Sequence, residues 1–331
     1  MADRYPVLTV AIPVYNMERY LPQTLQSLLR VNNDNLQVLI LDNNSDDSSG
    51  QIADEFARVH PQRFTVIHKD NHGYGSSINQ AIVQSTGRYL RIVDADDWVD
   101  SRELGALLHK LKTCVADLVL CDYTTVDDQT GVQTHIDVRP KGFNSGICYP
   151  VRNDLTPYPQ MHATIFRTQF LRECAISLLE DTFYVDEQLM ILACLHASSF
   201  VYYSYDIYRY RVGRVAQSVN ALSMGRLYED RERELKNCLD SYQKWAATHG
   251  PSVPCLQELA RHTGNHFTTL FLYVEPPALG RALARQWLSF LKEYWPELAW
   301  KTAGKRNILA LMNRLHLGGK RYLRLRTLLH K

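Results

Sequence analysis

Hydrophobic and polar positions alternate over the first hundred residues in a pattern typical of strands followed by helices. Short apolar runs predict four strands, at Leu8–Ile12, Leu36–Leu41, Phe64–Ile67 and Tyr89–Val93. Apolar residues at helical spacing predict helices over Leu21–Val31, over the segment that begins at Ser48 or Ser49, and over Ser76–Gln84. This succession predicts an α/β fold with a doubly wound, mostly parallel sheet.

Polar clusters follow three of the predicted strands, at the carboxyl end of each. They are Pro13-Val14-Tyr15-Asn16, Asp42-Asn43-Asn44-Ser45-Asp46-Asp47 and Asp94-Ala95-Asp96-Asp97. In sheets of this kind, ligands bind beyond the carboxyl ends of the strands. We therefore expect the functional site at this edge.

The third cluster carries the clearest chemistry. Asp94 and Asp96 share one face if the strand continues. Two carboxylates at that spacing suit a hard divalent cation, Mn²⁺ or Mg²⁺, that also takes diphosphate oxygens. The alternative is a solvated acidic loop or the cap of a helix near Ser101–Lys112. The position directly after an apolar strand favours the cation site.

Four stretches together resemble the family 2 glycosyltransferases of the A-type fold. They read AIPVYNMERYLPQTLQSLL, LQVLILDNNSDDSS, NHGYGSSINQAI and TGRYLRIVDADDWVD, in the family's order and spacing. The resemblance implies a metal-dependent, inverting enzyme that moves a sugar from a nucleotide diphosphate donor, a UDP-sugar, to an acceptor hydroxyl. The acceptor would be a glycan or lipid-linked glycan in bacterial surface-polysaccharide biosynthesis, such as capsule or O-antigen.

The same resemblance implies roles for individual residues. Asp94, Ala95 and Asp96 would flank the donor diphosphate, with Asp94 and Asp96 as metal ligands and Asp96 as the residue that binds the metal most directly. The residues that would line the nucleotide pocket or lie beneath the donor are Pro13, Tyr15, Asp42, Asn43, Asn71, Gly73 and Asn79.

Two positions depart from the family's pattern. Asn43 stands where members usually carry a second acid, and its amide can donate as well as accept, whereas a carboxylate only accepts. Ser77-Ile78-Asn79 replaces an Ala-Arg-Asn step, which removes one expected cation near the phosphates.

Inverting transfer needs a base that takes the proton of the acceptor hydroxyl. In the family, a pair of acids before a helix supplies it, and here Thr182–Gln188 precedes a predicted helix over Leu189–Ala197. Asp186 matches the base best. The register is open by one residue, so Glu187 is the alternative. Asp186 could also serve as the cap of that helix.

A basic segment follows, and it resembles the family's mobile segment that closes over the diphosphate. It contains Arg211, Gly213, Arg214, Gln217 and Ser218. The arginine fork binds phosphate oxygens through two nitrogens, so we expect at least one of the two arginines to contact phosphate.

His162 is a weaker hypothesis, as an acceptor-site residue or a third metal ligand, because a lone histidine is more often structural.

The sequence predicts a nucleotide-sugar-binding catalytic domain over 1–220 and a helical C-terminal region over 221–331. Residues 301–331 carry nine Lys/Arg and no Asp/Glu, whereas the rest of the chain has a net charge of −7. Apolar residues recur at helical spacing among those charges, as at Ile308, Leu311, Met312 and Leu315. This predicts a helix lying on an anionic membrane surface, or a helix packed on the body with a basic outer face.

The location predicted from the sequence is cytoplasmic, with peripheral attachment to the inner face of the cytoplasmic membrane. The chain begins without a signal-peptide pattern, and it has no apolar run of about 18–20 residues. Seven cysteines without a C-x-x-C pair indicate reduced thiols. The absence of a Gln-x-x-Arg-Trp segment indicates transfer of a single sugar.

Two other functions are compatible with a sheet of this type. A sugar-1-phosphate nucleotidyltransferase would need a Gly-rich basic loop where Pro13–Asn16 stands. A non-catalytic nucleotide-sugar or glycan binder would need no base, so Asp186 argues against it. Binding of nucleic acid is not expected, because no nucleic-acid module accompanies the basic tail.

Overall fold

A computed structural model describes residues 6–151, 155–214, 221–315 and 317. The chain divides into two compact units. The first, called the sheet unit, contains the described residues up to Asp181 together with Val185–Arg214. The second, called the helical unit, contains Thr182–Tyr184 and the described residues from 221 onward.

Ten strands form one sheet in the part of the chain that the structure describes. They are β1 (Leu8–Val14), β2 (Leu36–Asp42), β3 (Phe64–His68), β4 (Tyr89–Ile92), β5 (Trp98–Val99), β6 (Leu118–Asp127), β7 (Gln133–Ile136), β8 (Cys148–Pro150), β9 (Thr164–Arg167) and β10 (Ser199–Val212). Their order is β3-β2-β1-β4-β9-β6-β10-β5, with β7 beside β6 and β8 beside β10.

The helices occupy the intervals between strands and the C-terminal part of the chain. In the sheet unit they are α1 (Leu21–Leu29), α2 (Ser49–Val59), α3 (Gly73–Gln84), α4 (Ser101–Leu111), α5 (Thr168–Glu173) and α6 (Val185–His196). In the helical unit they are α7 (Ala221–Arg226), α8 (Tyr228–His249), α9 (Val253–Leu272), α10 (Pro277–Tyr294), α11 (Pro296–Lys301) and α12 (Ala303–Arg314).

The first four strands are parallel, as the sequence predicts. β1 pairs with β2 on one side and β4 on the other, and β2 pairs with β3. Every residue of β1 is buried, which explains its continuous apolar run. The carboxyl ends of these strands therefore meet at one edge. The second half of the sheet adds antiparallel pairs that the pattern did not predict, since β9 lies between β4 and β6 and is antiparallel to both.

Helix α6 begins earlier than predicted, at Val185 instead of Leu189. Asp186 and Glu187 therefore lie within its first turn, and the expectation that both acids precede the helix was wrong. Acidic side chains in a first turn are stabilised by the exposed backbone N–H groups there. Val185 is buried and belongs to the apolar side of the helix. The apolar pattern did not predict this earlier start, because Asp186 and Glu187 separate Val185 from the rest of the apolar run.

Helix α9 is the centre of the helical unit, with Leu259, Phe267 and Leu270 fully buried. Helix α12 packs against it through Leu309 and Asn313. The Asn313 amide donates to the carbonyl of Phe271 at 2.5 Å, which ties α12 to the end of α9. Among the described residues, no helix is long and apolar enough to cross a membrane.

Candidate active site

The acidic segment Asp94–Asp97 comes directly after β4, where the backbone turns. The amide of Asp97 donates to the carbonyl of Asp94 at 3.0 Å. The Thr24 hydroxyl bonds the carbonyls of Ala95 (2.9 Å) and Asp97 (2.5 Å), which fixes this turn against α1. Asp96 and Asp97 are buried, and Asp94 is half-buried. The backbone therefore holds three carboxylates close together at the carboxyl edge of the sheet.

Two tyrosines that the sequence did not single out hold these carboxylates. The Tyr74 hydroxyl donates a short hydrogen bond to Asp94 Oδ1. The Tyr208 hydroxyl donates to Asp97 Oδ2 at 2.7 Å and accepts from the amide of Asp94 at 3.1 Å. Both tyrosines lie inside stretches that carry motifs, but nothing in those stretches indicates that they meet Asp94–Asp97.

The cluster is electrostatically unfavourable without a positive partner. Burial, followed by the charge of Asp96, raises the pKa of Asp94 to about 7. Burial and the charges of Asp94 and Asp96 raise the pKa of Asp97 as well. Carboxylates this close cannot all be ionised without cost, and a cation reduces that cost.

The donor chemistry of the cluster fits a divalent cation of the Mg²⁺ or Mn²⁺ type. Asp94 and Asp96 offer carboxylate oxygens, the ligands that such ions prefer. Across the described residues, no group of three or more His, Cys, Asp or Glu side chains is arranged to hold a metal ion. Two carboxylates would leave the remaining positions of an octahedral ion to phosphate oxygens and water, which is the usual arrangement at nucleotide sites.

Asp186 lies within electrostatic reach of this cluster. Its charge contributes to the raised pKa values of Asp94, Tyr74 and Tyr210, after the larger effect of burial. Glu187 is not among the main causes of those shifts. Asp186 is also the more exposed of the two acids. The choice of Asp186 over Glu187 as the base stays a prediction.

Arg211 is held entirely by protein groups. Its Nε donates to the carbonyl of Asp96 at 2.7 Å, and its two terminal nitrogens bond Asp128 and Gln23, each at 2.7 Å. Its guanidinium lies 4.9 Å from the ring centroids of both Tyr20 and Trp98. These contacts favour a structural role, in which Arg211 clamps the acidic segment. A direct contact with phosphate stays a prediction for this residue.

Arg214 makes a different contact. Its Nη2 lies 2.7 Å from Asp96 Oδ2, and both side chains are mostly buried. Gln217 and Ser218, which the sequence placed in the same segment, lie outside the described residues.

The end of β2 provides a second polar group. Asp42 Oδ1 accepts from the hydroxyl of Ser45 at 2.6 Å, and Asp42 Oδ2 lies 2.9 Å from His68 Nδ1. The other ring nitrogen of His68 lies 3.0 Å from Asp54. The two carboxylates, Asp54 first and then Asp42, raise the pKa of His68. Asp42 is thus already partnered on both oxygens.

Asn43 is buried, and its side-chain oxygen accepts from Lys69 Nζ (3.1 Å) and from the hydroxyl of Ser77 (2.9 Å). Ser77 is one of the two departures from the family pattern, and it contacts the other. Nearby, Pro13 is buried within β1 and Tyr15 is exposed just beyond it.

The residues predicted from the stretch NHGYGSSINQAI lie in α3 and just before it. The Asn71 side chain accepts from the amide of Gly73, which has a φ of +77° and so favours glycine. The Asn79 side chain makes two hydrogen bonds with the backbone of Leu178. Its Oδ1 accepts from the amide at 2.8 Å, and its Nδ2 donates to the carbonyl at 3.0 Å. The described contacts of Asn79 tie α3 to the segment before α6, and its role beneath the donor stays a prediction.

His162 is enclosed by aromatic rings. It stacks on Tyr210 with centroids 4.7 Å apart and meets Tyr123 edge-on at 4.2 Å. Burial and the charge of Arg91 lower the pKa of His162 to about 3, so its ring is neutral near pH 7. In the described residues it belongs to no group of three or more His, Cys, Asp or Glu side chains arranged to hold a metal ion, and its role as an acceptor-site residue or third ligand stays a hypothesis.

Arg91 was also missed by the sequence reasoning. It is fully buried in β4, donates to the carbonyl of His162 at 2.6 Å and lies 5.3 Å from the centroid of the Tyr208 ring. A buried positive charge in β4 therefore lies beside Tyr208, which holds the acidic segment.

Comparisons with known proteins agree with this geometry. A sequence model described as glycosyl transferase family 2 matches residues 9–175. The putative glycosyltransferase EpsH of Bacillus subtilis is 32% identical over 133 residues, which cover 40% of this chain and 38% of EpsH. The chain therefore matches well under half the length of that relative.

Two solved structures share the fold. S. aureus TarS 1–349 in complex with UDP-GlcNAc has a TM-score of 0.58 at 17% identity, over 93% of this chain and 92% of that one. The mannosyltransferase PcManGT from Pyrobaculum calidifontis, in complex with GDP-Man and Mn²⁺, has a TM-score of 0.51 at 17% identity, over 94% and 88% of the two chains.

The order of the strands and the likeness to these two structures show the A-type glycosyltransferase fold, which confirms the predicted fold class. The match over half of the chain then identifies the family: this chain belongs to glycosyl transferase family 2.

Proposed function

We propose that this protein is an inverting glycosyltransferase that moves a single sugar from a UDP-sugar to a hydroxyl of a glycan or lipid-linked glycan in surface-polysaccharide biosynthesis. The observation that carries this proposal is the group of Asp94, Asp96 and Asp97 at the carboxyl edge of the parallel strands, together with the charge of Asp186, which contributes to the raised pKa of Asp94. The choice of UDP is supported by TarS, which has the same fold and was solved with UDP-GlcNAc.

Asp94 and Asp96 would hold the divalent cation. When bound, the ion would stabilise the negative charge that grows on the diphosphate as the sugar leaves. Tyr74 keeps the Asp94 carboxylate in place, and Arg211 does the same for the Asp96 backbone. The protein thus holds the Asp94 carboxylate and the Asp96 backbone in place before the donor binds. Groups fixed in advance stabilise developing charge most effectively, because they need not reorganise during the reaction.

Asp186 would take the proton of the acceptor hydroxyl as that oxygen attacks the anomeric carbon from the face opposite the diphosphate. Its exposure suits this role because an acceptor must reach it.

The donor and the cation can be tested together. Purified full-length protein is incubated with a panel of nucleotide sugars, with Mn²⁺ or with chelator, and release of nucleoside diphosphate is measured. We expect Mn²⁺-dependent release of UDP and its loss in Asp96→Ala. Asp34→Ala is the matched control, because Asp34 is a fully exposed acid of the same unit. Full activity in chelator would contradict the cation, and failure to cleave any nucleotide sugar would favour the non-catalytic binder.

The base is tested by Asp186→Asn and Glu187→Gln, which preserve shape. We expect Asp186→Asn to lower turnover by roughly 10²–10⁴-fold with UDP binding nearly unchanged, as for loss of a general base. The reverse ranking of the two variants would move the assignment to Glu187.

We also propose that the helical unit attaches the enzyme to an anionic membrane surface. Helix α12 buries Leu309 and Asn313, but Ile308, Leu311 and Leu315 are exposed on its other side, 62, 58 and 58% respectively. Lys305 and Arg314 flank them, and both are exposed. An exposed apolar face bordered by cations suits the boundary between headgroups and acyl chains. Helix α12 thus has both features that the sequence predicted as alternatives: one face packs on the helical unit, and the exposed face suits a membrane surface.

Vesicle sedimentation tests this attachment. A triple substitution of Ile308, Leu311 and Leu315 by Ser should reduce binding to anionic vesicles and leave hydrolysis of a soluble donor intact. The control substitutes Val59, Val115 and Val132, which are exposed apolar residues of the sheet unit. Equal vesicle binding by the two triple variants would refute the attachment through α12.

A further inference from the structure

Arg214 and Asp96 form a close ion pair at the centre of the candidate site. The pair joins Nη2 of Arg214 to Oδ2 of Asp96 at 2.7 Å, and the two side chains are only 16 and 12% exposed. Water therefore screens the pair poorly, and the attraction is stronger than at a surface. The oxygen that Arg214 contacts belongs to a carboxylate assigned above to the divalent cation.

Within the described parts of the chain, Arg214 is held by fewer groups than its neighbour Arg211. Its Nε is buried and has no hydrogen-bond partner among the described residues. Its guanidinium lies 5.2 Å from the centroid of the Tyr20 ring, whose centroid is also 4.9 Å from Arg211. Arg211 has a hydrogen bond on all three guanidinium nitrogens, so it is fixed. Asp96 is the charged group that anchors Arg214.

The backbone before Arg214 can turn without strain on a side chain. Strand β10 ends at Val212, and Gly213 follows with a φ of +84°. Glycine adopts many backbone conformations that other residues avoid. A Cβ at this position would lie 3.1 Å from Asp127 Oδ2, which is a tight contact. Arg214 thus lies beyond the last residue of the sheet, next to a glycine.

A divalent cation bound at Asp96 would compete with Arg214 for the Oδ2 oxygen. A bound cation of this type lies about 2.0–2.6 Å from a carboxylate oxygen, and its charge repels a guanidinium at the same atom. Resting on the function proposed above, we propose that Arg214 is an exchangeable counter-ion of Asp96. The cation displaces it, and the released guanidinium then pairs with the donor diphosphate.

This exchange couples two binding events. A cation that binds alone must break the Arg214–Asp96 pair without replacement. When the nucleotide is also present, Arg214 exchanges a carboxylate for a diphosphate, which its fork also binds well. Arg214 therefore weakens binding of the cation alone and strengthens binding of the cation together with the nucleotide. By linkage, the nucleotide raises the affinity for the cation by the same factor as the cation raises the affinity for the nucleotide.

The experiment measures Mn²⁺ affinity of the full-length protein by electron paramagnetic resonance, with and without UDP. Without UDP, Arg214→Ala and Arg214→Gln should bind Mn²⁺ at least about fivefold more tightly than wild type, since a competing charge is removed. With UDP present, the same variants should bind Mn²⁺ no more tightly than wild type, so the coupling shrinks. Arg214→Lys should lie between wild type and Arg214→Ala.

Arg19→Ala is the matched control, because Arg19 is exposed and lies 5.3 Å from the centroid of the same Tyr20 ring. It should leave both affinities within about twofold of wild type. If Arg214→Ala and Arg214→Gln leave Mn²⁺ affinity unchanged or weaker without UDP, the exchange is refuted while the proposed function stands. If wild type binds no Mn²⁺ with or without UDP, the exchange fails together with the cation site assigned to Asp94 and Asp96, whereas the proposed transfer is judged by release of UDP.

Discussion

The carboxylates of the candidate site depend on neutral hydroxyl donors as well as on cations. Tyr208 contacts the acidic segment at two points, because its hydroxyl donates to Asp97 Oδ2 and accepts from the amide of Asp94. Its ring rests against Arg91, which is buried. One residue on β10 therefore sets the position of the segment that follows β4.

Replacing Tyr208 by Phe should lower kcat/KM for donor cleavage by about 10–100-fold. The reason is that the substitution leaves Asp97 Oδ2 buried without that donor, which costs about 1–3 kcal/mol. Tyr294→Phe, at an exposed tyrosine of the helical unit, is the control and should be neutral. Wild-type kinetics in Tyr208→Phe would show that the acidic segment is fixed without it.

His68 should make stability depend on pH. Its pKa is raised by Asp54 and Asp42, so its contribution is complete below the ordinary histidine value of 6.5 and is lost as pH rises through the raised pKa of the folded state. The melting temperature of wild type should exceed that of His68→Gln most at pH 6, and the difference should close at high pH. His109→Gln, at an exposed histidine of α4, serves as the control. A difference that grows with pH would refute the assignment.

At the scale of elements, α3 connects the two halves of the site. Tyr74 in its first turn reaches Asp94, Ser77 reaches Asn43, and Asn79 reaches the backbone of Leu178. These three contacts from one helix thus fix the acidic segment, the end of β2 and the segment before α6 relative to one another. Gly75 allows this approach, because a Cβ there would lie 2.1 Å from the carbonyl oxygen of Leu179.

Gly75→Ala should therefore destabilise the protein, in the range of about 1–3 kcal/mol that overpacking costs. The melting temperature should fall, and donor cleavage should fall at temperatures where the protein is still folded, since α3 must shift. Gly304→Ala on α12 is the control, because among the described residues no atom beyond its chain neighbours and the nearby backbone of its own helix lies within 4 Å of the added methyl group. An unchanged melting temperature for Gly75→Ala would mean that Leu179 moves aside freely.

At the scale of the whole molecule, charge is distributed unevenly along the chain. The nine positive charges of residues 301–331 contrast with a net charge of −7 over the rest. Each basic residue near an anionic surface contributes about 1 kcal/mol, and salt screens that term over about 10 Å at 0.1 M. Vesicle binding should therefore weaken as salt rises. The apolar contribution of α12 is not screened, so residual binding at high salt should be lost in the triple Ser variant.

Local periodicity determined much of this fold in advance. The first four strands, the helices between them and the acidic residues at one edge follow from neighbours in sequence, because strand and helix periods are short. The order of the motifs was then enough to predict the family. Asp94 and Asp96 could be placed at the site for the same reason.

Only the tertiary structure decided how the site is held. Tyr208 meets the amide of Asp94 across 114 positions of sequence, and Arg211 meets Gln23 across 188. Two arginines three residues apart look alike in sequence, yet Arg211 is fully bonded while Arg214 pairs with Asp96. The antiparallel β9 and the exposed side of α12 are decided in the same way. Each depends on which distant surface covers a residue, and periodicity along the chain carries no information about that.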